Sequence, residues 1–95
     1  GRPVSALTSA FEGEMSMSEI IERCTRVFAE VMQVDPALIN DETDPESLPE
    51  WDSLSHVQLI LLLEKEFAVT IPPDEGIDYE TFKMVCDAMA AKVDG

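Results

Sequence analysis

The stretch EWDSLSHVQLILLLEKEF, residues 50–67, opens with charged and polar side chains and then becomes almost wholly apolar. Asp52 is a good N-cap, because its carboxylate can accept the unpaired amide hydrogens of a first helical turn. Trp51, just before that cap, can pack back against the helix. The stretch therefore predicts a helix from about Ser53 to Phe67.

This predicted helix has two apolar stripes. At about 100° per residue, one wide stripe suits a core-facing surface; its members are His56, Leu59, Ile60, Leu63 and Phe67. Leu54, Val57 and Leu61 lie on roughly the opposite side with polar neighbours. Burying the first stripe leaves this outer strip as an apolar surface with a polar rim, which is typical of a docking surface. The alternative is a central helix that packs on both sides.

An earlier helix is predicted from Ser16 to about Gln33. Ser16 and Glu19 have the spacing of a capping box, and Asp35-Pro36 ends the helical pattern because proline disfavours helix in the residue before it. The apolar positions of this helix are Ile20, Ile21, Cys24, Val27, Phe28 and Val31.

A long connection with three prolines leads from this helix to Asp52. Connections of this length in a small domain are usually functional or mobile. Its apolar residues, predicted to anchor it on the core, are Leu38, Ile39 and Leu48.

The segment after Phe67 predicts a short extended link, a turn at Pro72-Pro73 and a brief helical turn over 74–79. The last helix is predicted to start within 79–81 and to end near Val93. Its apolar stripe comprises Phe82, Val85, Cys86, Met89 and Val93.

The chain length of 95 residues suits one compact domain. Hydrophobic residues make up 45% of it and aromatic residues only 6%, as in a small helical protein with an aliphatic core. The predicted fold is all-α, a four-helix bundle with three principal helices, one short helix, a long first loop and no strand. Residues 1–14 show no sustained period and are interpreted as a flexible leader or linker, with the folded domain over 15–95.

Charge narrows the classes of partner. Six basic against 20 acidic residues give a net charge of −14, and no Lys or Arg lies between Arg26 and Lys65. Such a field repels nucleic acid and anionic bilayers and attracts proteins with basic patches. The chain has neither an apolar run long enough to span a bilayer nor a secretory signal pattern at its start, so a cytoplasmic monomer is expected.

The side chains that usually bind metals are sparse and scattered. Cys24 and Cys86 lack the paired spacing of a metal site and are interpreted as small core residues rather than a redox pair. His56 is the only histidine. No metal site is predicted.

Ser53, at the start of the predicted helix, has three possible roles. It could cap the helix, but Asp52 already holds the better cap position. It could be a nucleophile with His56 as base and Asp52 as orienting acid, yet His56 projects with the core stripe and no oxyanion hole is visible. It could accept a covalently attached phosphate ester, because helix N-termini stabilise phosphate and an exposed hydroxyl there is accessible to a transferase. The third role is favoured.

Asp52-Ser53-Leu54 and the amphipathic run to Phe67 resemble the 4'-phosphopantetheine attachment site of acyl carrier proteins and the related peptidyl carrier proteins. The resemblance covers about residues 16–94. It implies that Ser53 receives the phosphopantetheine arm of coenzyme A from a separate, magnesium-dependent phosphopantetheinyl transferase. The terminal thiol of the arm would then hold an acyl group as a thioester for partner enzymes, and the protein would not itself be an enzyme.

The resemblance also implies roles for the two stripes. Leu54, Val57 and Leu61 fall where family members place apolar contacts for partner enzymes, and the core stripe walls the cavity in which some carriers shelter an acyl chain. Ser55 and Gln58 stand where many fatty-acid carriers have acids. Trp51 and its neighbours lack the glycine-rich lead-in of peptidyl carriers. The expected subtype is an acyl carrier of polyketide or other specialised biosynthesis; a peptidyl carrier and an unmodified acidic helical adaptor are the alternatives.

Overall fold

The computed structural model describes residues 16–94, so the predicted leader over 1–14 lies outside the described residues. Four α-helices and one 3₁₀ helix follow in chain order: α1 Met17–Met32, the 3₁₀ helix Pro36–Leu38, α2 Ser53–Phe67, α3 Pro73–Gly76 and α4 Phe82–Asp94. No strand occurs within residues 16–94. The predicted all-α fold with three principal helices and one short one is confirmed.

The ends of α1 show why the helix begins and ends where it does. The Ser16 hydroxyl accepts the Glu19 amide at 3.1 Å, as the capping spacing predicted. Gln33 after the last turn has φ of 61°, and its amide bonds the Ala29 carbonyl. Of the apolar positions read from the sequence, Ile21 is exposed, whereas Met32, which the pattern omitted, is buried. The helix packs against both α2 and α4.

The α2 helix has the predicted bounds, and its two stripes differ in burial. Leu59, Leu63 and Phe67 are buried, whereas His56 and Ile60 are half-buried. The outer strip of Leu54, Val57 and Leu61 is exposed. The alternative, a central helix packed on both sides, is therefore wrong.

Two later boundaries differ from the prediction by a few residues. The short helix α3 is Pro73–Gly76, earlier than the predicted 74–79, because Pro73 has the fixed φ that suits a first helical position. α4 begins at Phe82, directly after Thr81, whose hydroxyl accepts the Met84 amide at 3.2 Å.

The long first loop is fastened to α4 through its backbone. The Thr43 carbonyl accepts the amide of Phe82, the first residue of α4, at 2.8 Å. Thr43 is buried, and its hydroxyl accepts the Asn40 amide at 2.9 Å. Leu48 is buried as predicted, but Leu38 is 60% exposed and does not anchor the loop. Hydrogen bonds at Thr43 therefore help to anchor the loop, whereas the sequence predicted anchoring by apolar side chains alone.

The centre of the core is an aromatic cluster around Phe28 of α1. The Phe28 ring meets Trp51 of the loop and Phe82 of α4 edge-on, each with ring centroids 5.0 Å apart. Edge-to-face pairs at such distances are favourable beyond the area that they bury. This cluster holds the end of the loop, and with it the start of α2, against the other two long helices.

Candidate functional site at the start of α2

Ser53 is the first residue of α2, and its side chain is exposed. Asp52 holds the cap: its carboxylate accepts the Ser55 amide at 2.9 Å, and its carbonyl accepts the His56 amide at 2.8 Å. The hydrogen bond from Ser55 holds the pKa of the Asp52 carboxyl below its usual range, so this cap is ionised at neutral pH. Among residues 16–94 the Ser53 hydroxyl has no hydrogen-bond partner and is open to chemistry from outside.

His56 is not placed to activate that serine. The Trp51 indole N–H donates to His56 Nδ1 at 2.9 Å, and His56 Nε2 lies 2.8 Å from the Gly76 carbonyl oxygen. Because the indole can only donate and the carbonyl can only accept, the proton of the neutral imidazole sits on Nε2. Both ring nitrogens are thus engaged elsewhere, which agrees with the prediction that Ser53, His56 and Asp52 do not form a catalytic triad.

An open groove of about 920 Å³ begins beside Ser53. The first loop, the start of α2 and the segment after α3 form its walls. Its lining includes four carboxylates and a set of aromatic and apolar side chains. The carboxylates are Asp44, Glu46, Asp52 and Glu80, and the others include Trp51, His56, Ile77 and Tyr79.

Ile77 is a member of this groove that sequence reasoning missed. It is 74% exposed, the most exposed large apolar side chain within residues 16–94. Its signal in the sequence is weak, a single isoleucine between Gly76 and Asp78 after two prolines. Only the tertiary structure brings it to the groove that Ser53 borders.

The acids around Ser53 come from the loops and not from α2. The first turn of α2 contains no acidic residue, and its first acid is Glu64 in the second half of the helix. The loop acid Asp44 accepts the Ser47 amide at 2.8 Å, and this bond lowers the pKa of its carboxyl. The run without Lys or Arg predicted that the first loop and α2 together carry most of the negative charge, whereas the carboxylates beside Ser53 come from the segments around α2.

The sequence matches the family model described as "Phosphopantetheine attachment site" over residues 22–89. That match spans α2 and Ser53 together with α3 and most of α1 and α4. The chain belongs to the acyl carrier protein family.

Three curated relatives of this carrier agree. It is 37% identical over 79 residues to an acyl carrier protein of Thermosynechococcus vestitus, across 83% of this chain and 98% of that protein. It is 31% identical over 65 residues to an acyl carrier protein of Caulobacter vibrioides, across 68% of this chain and 83% of that protein. It is 27% identical over 94 residues to the mitochondrial acyl carrier protein 2 of Arabidopsis thaliana, across 94% of this chain and 75% of that protein.

Membership establishes the cofactor, which is a covalently attached 4'-phosphopantetheine. Proteins of this family are carriers and not enzymes, and they interact with phosphopantetheinyl transferases and synthase enzymes. The start of α2 fits the group: the Ser53 hydroxyl is exposed, and the helix N-terminus favours the negative charge of a phosphodiester. Asp52 and the groove carboxylates oppose that charge.

The described part of the carrier lacks two further classes of site. Residues 16–94 contain no group of three or more His, Cys, Asp or Glu side chains that could hold a metal ion. Within the same residues, every helix is too short or too polar to cross a lipid bilayer.

Proposed function

We propose that Ser53 carries the 4'-phosphopantetheine arm and that Asp52, by capping α2, holds Ser53 at the start of the helix. The observation that carries this proposal is the exposed Ser53 hydroxyl at the first position of a capped helix, beside the groove. In the transfer, Ser53 Oγ forms a bond to the phosphorus that bears pantetheine, and the bond from that phosphorus to the adenosine bisphosphate of coenzyme A breaks. The hydroxyl proton leaves to a base of the transferase or to water.

Intact-protein mass spectrometry tests this assignment. The protein, coenzyme A, magnesium and a broad-specificity phosphopantetheinyl transferase should yield one added arm, and Ser53→Ala should yield none. Ser55→Ala is the matched control, because Ser55 lies two residues along the same helix and an alanine keeps the backbone amide that donates to Asp52. Modification of Ser53→Ala, or no modification of the wild type by a transferase that modifies a reference carrier, would contradict the assignment.

The outer strip of Leu54, Val57 and Leu61 is proposed to bind the transferase and the acyl-loading and synthase enzymes. Three exposed apolar side chains on one face of α2 form a small contact area, and the carboxylates beside Ser53 add negative charge next to it. A partner with an apolar patch rimmed by Lys and Arg complements both features. The rate of association should fall as ionic strength rises toward the value at which the Debye length is about 8 Å, because salt screens the attraction between the charges.

Leu61→Glu distinguishes this surface from the attachment residue. It should reduce kcat/KM of the transferase while the circular dichroism spectrum stays unchanged, because Leu61 is exposed. Gln58→Glu on the same helix is the control for added charge alone. An unmodified acidic adaptor would instead bind its partner through Leu61 and remain indifferent to Ser53→Ala.

The cargo is proposed to be an acyl group of polyketide or other specialised biosynthesis, handled by a cytoplasmic monomer. The support is the head of α2, where Ser55 and Gln58 replace the acids of many fatty-acid carriers and the first turn has no acid. A peptidyl carrier is the alternative. Loading assays with acyl and aminoacyl donors would separate these two carrier types, and size-exclusion chromatography would measure the oligomeric state.

A further inference from the structure

Three residues form a hydrogen-bonded bridge between the start of α2 and the end of α3. Trp51 donates its indole N–H to His56 Nδ1 at 2.9 Å, and His56 Nε2 donates to the Gly76 carbonyl at 2.8 Å. The indole and imidazole rings also stack, with centroids 6.0 Å apart and planes 15° apart. This Trp51–His56–Gly76 bridge lies beside Ser53, on the wall of the groove.

The space behind the bridge is already occupied. Trp51 is 2% exposed and packs on Phe28. Gly76 is buried, and a Cβ added to it would lie 3.3 Å from Ile60 Cδ1, which is tighter than ordinary van der Waals contact. Side chains of α2 therefore press directly on the backbone of α3 at this end of the bundle. An acyl chain that passed from Ser53 into the core between α2 and α3 would have to separate them.

Separating α2 from α3 is unfavourable for a second reason. Separation breaks the His56–Gly76 bond and leaves the imidazole N–H and the buried Gly76 carbonyl without each other, and an alkyl chain offers neither a hydrogen bond. A buried polar group that loses its partner bears its full desolvation penalty. Outside the bridge, by contrast, the groove is open, and Ile77 and Tyr79 offer apolar and aromatic surface.

We propose that the Trp51–His56–Gly76 bridge keeps cargo out of the core, so that the acyl group lies in the groove against Ile77 and Tyr79. This inference rests on arm attachment at Ser53. Trp51 and His56 are then positioning residues that determine cargo class. Most of the exposed groove surface is apolar, so an acyl group can lie against it, but the groove is open, and the part of a long alkyl chain that extends beyond it would remain in water.

The wild-type protein loaded from butanoyl- and octanoyl-coenzyme A tests the location of the cargo. Each CH₂ buried in the core would raise the melting temperature of a domain this size by about 3–6 °C. The two loaded forms are expected to melt within about 3 °C of each other, less than one buried CH₂ would give. Nuclear Overhauser contacts should link the labelled octanoyl chain to Ile77 and Tyr79. Contacts to Leu59, Leu63 or Met89, or an octanoyl form more than about 10 °C more stable, would overturn the proposal.

Variants test the role of the bridge itself. Trp51→Phe keeps an aromatic ring and removes the donor, and His56→Leu removes both bonds. In these variants octanoyl loading is expected to stabilise the protein more than butanoyl loading does. Glu66→Gln is the control, since it weakens ion pairs to Arg23 and Arg26 at the far end of α2 and should show no dependence on chain length.

If the bridge variants fold and show no such dependence, the bridge does not control entry. If they fail to fold, the contacts in the wild type still locate the cargo. Absence of any arm on wild-type protein would defeat the attachment at Ser53, whereas a loaded protein with its chain in the core would defeat only this inference.

Discussion

Leu61 and Leu63 lie two residues apart on α2, and truncation to alanine should reduce the stability of the protein at Leu63 but hardly at Leu61. Leu61 is 62% exposed and Leu63 is fully buried. Leu63→Ala removes buried methyl groups and leaves a cavity, which costs about 2–5 kcal/mol. Leu61→Ala removes surface contacts and should change stability by less than about 0.5 kcal/mol. At about 4–8 °C per kcal/mol, Leu63→Ala should lower the melting temperature by roughly 8–40 °C.

The single tryptophan provides the assay. Trp51 is buried against Phe28, so its emission should report unfolding of the whole domain in urea. A domain of this size has a free energy of unfolding of about 5–12 kcal/mol, so Leu63→Ala should remove a large part of it. The slope of that free energy against urea concentration should stay constant. Transferase kinetics at a temperature where both variants are folded should show the reverse order, with Leu61→Ala the more impaired. Similar losses of stability in both variants would refute the burial pattern of α2.

Three other measurements probe the charges and thiols. Cys24 and Cys86 are buried, and their mutual hydrogen bond together with burial raises the pKa of the Cys24 thiol, so a maleimide should label neither in the folded protein without the arm. In the protein that carries the arm without an acyl group, it should label only the free thiol of the arm. Glu75 accepts from Tyr79 and Lys92, which lowers the pKa of its carboxyl below 4.5; its contribution to stability is present above that pH and is lost as pH falls through the lower folded value. Glu75→Gln should therefore lower the melting temperature at neutral pH, and much less once the pH has fallen below the folded pKa of Glu75. With a net charge of −14, the melting temperature should rise between low salt and about 0.15 M salt, and a salt-independent value would show that self-repulsion is negligible.

The helices could be predicted because their signals are local. Ser16 with Glu19, Asp52 before Ser53, and the apolar spacing from Leu59 to Phe67 are each contained within a few turns of one segment. Hydrogen bonds at a cap depend on neighbouring amides, and burial of a stripe depends on helical period. The same information put Ser53 at a helix start and Leu61 on the face away from the core.

The errors fall where local pattern and packing disagree. Leu38 and Ile21 are apolar, yet neither is covered, because the loop is fastened through the Thr43 backbone and α1 is oriented by α2 and α4 together. Ile77 carried no pattern at all, and the groove that it lines exists only when loop, α2 and the segment after α3 meet.

By itself, the sequence determined that this chain forms capped amphipathic helices, that it is strongly acidic, and that a serine stands at the first position of one helix. Tertiary structure alone decided that the Trp51 indole donates to His56 and that His56 donates to the carbonyl of Gly76, which lies 20 residues after His56 in the chain. Helical period specifies which face of a helix is apolar, whereas a hydrogen bond between distant segments also requires the distance and orientation that only packing around Phe28 supplies.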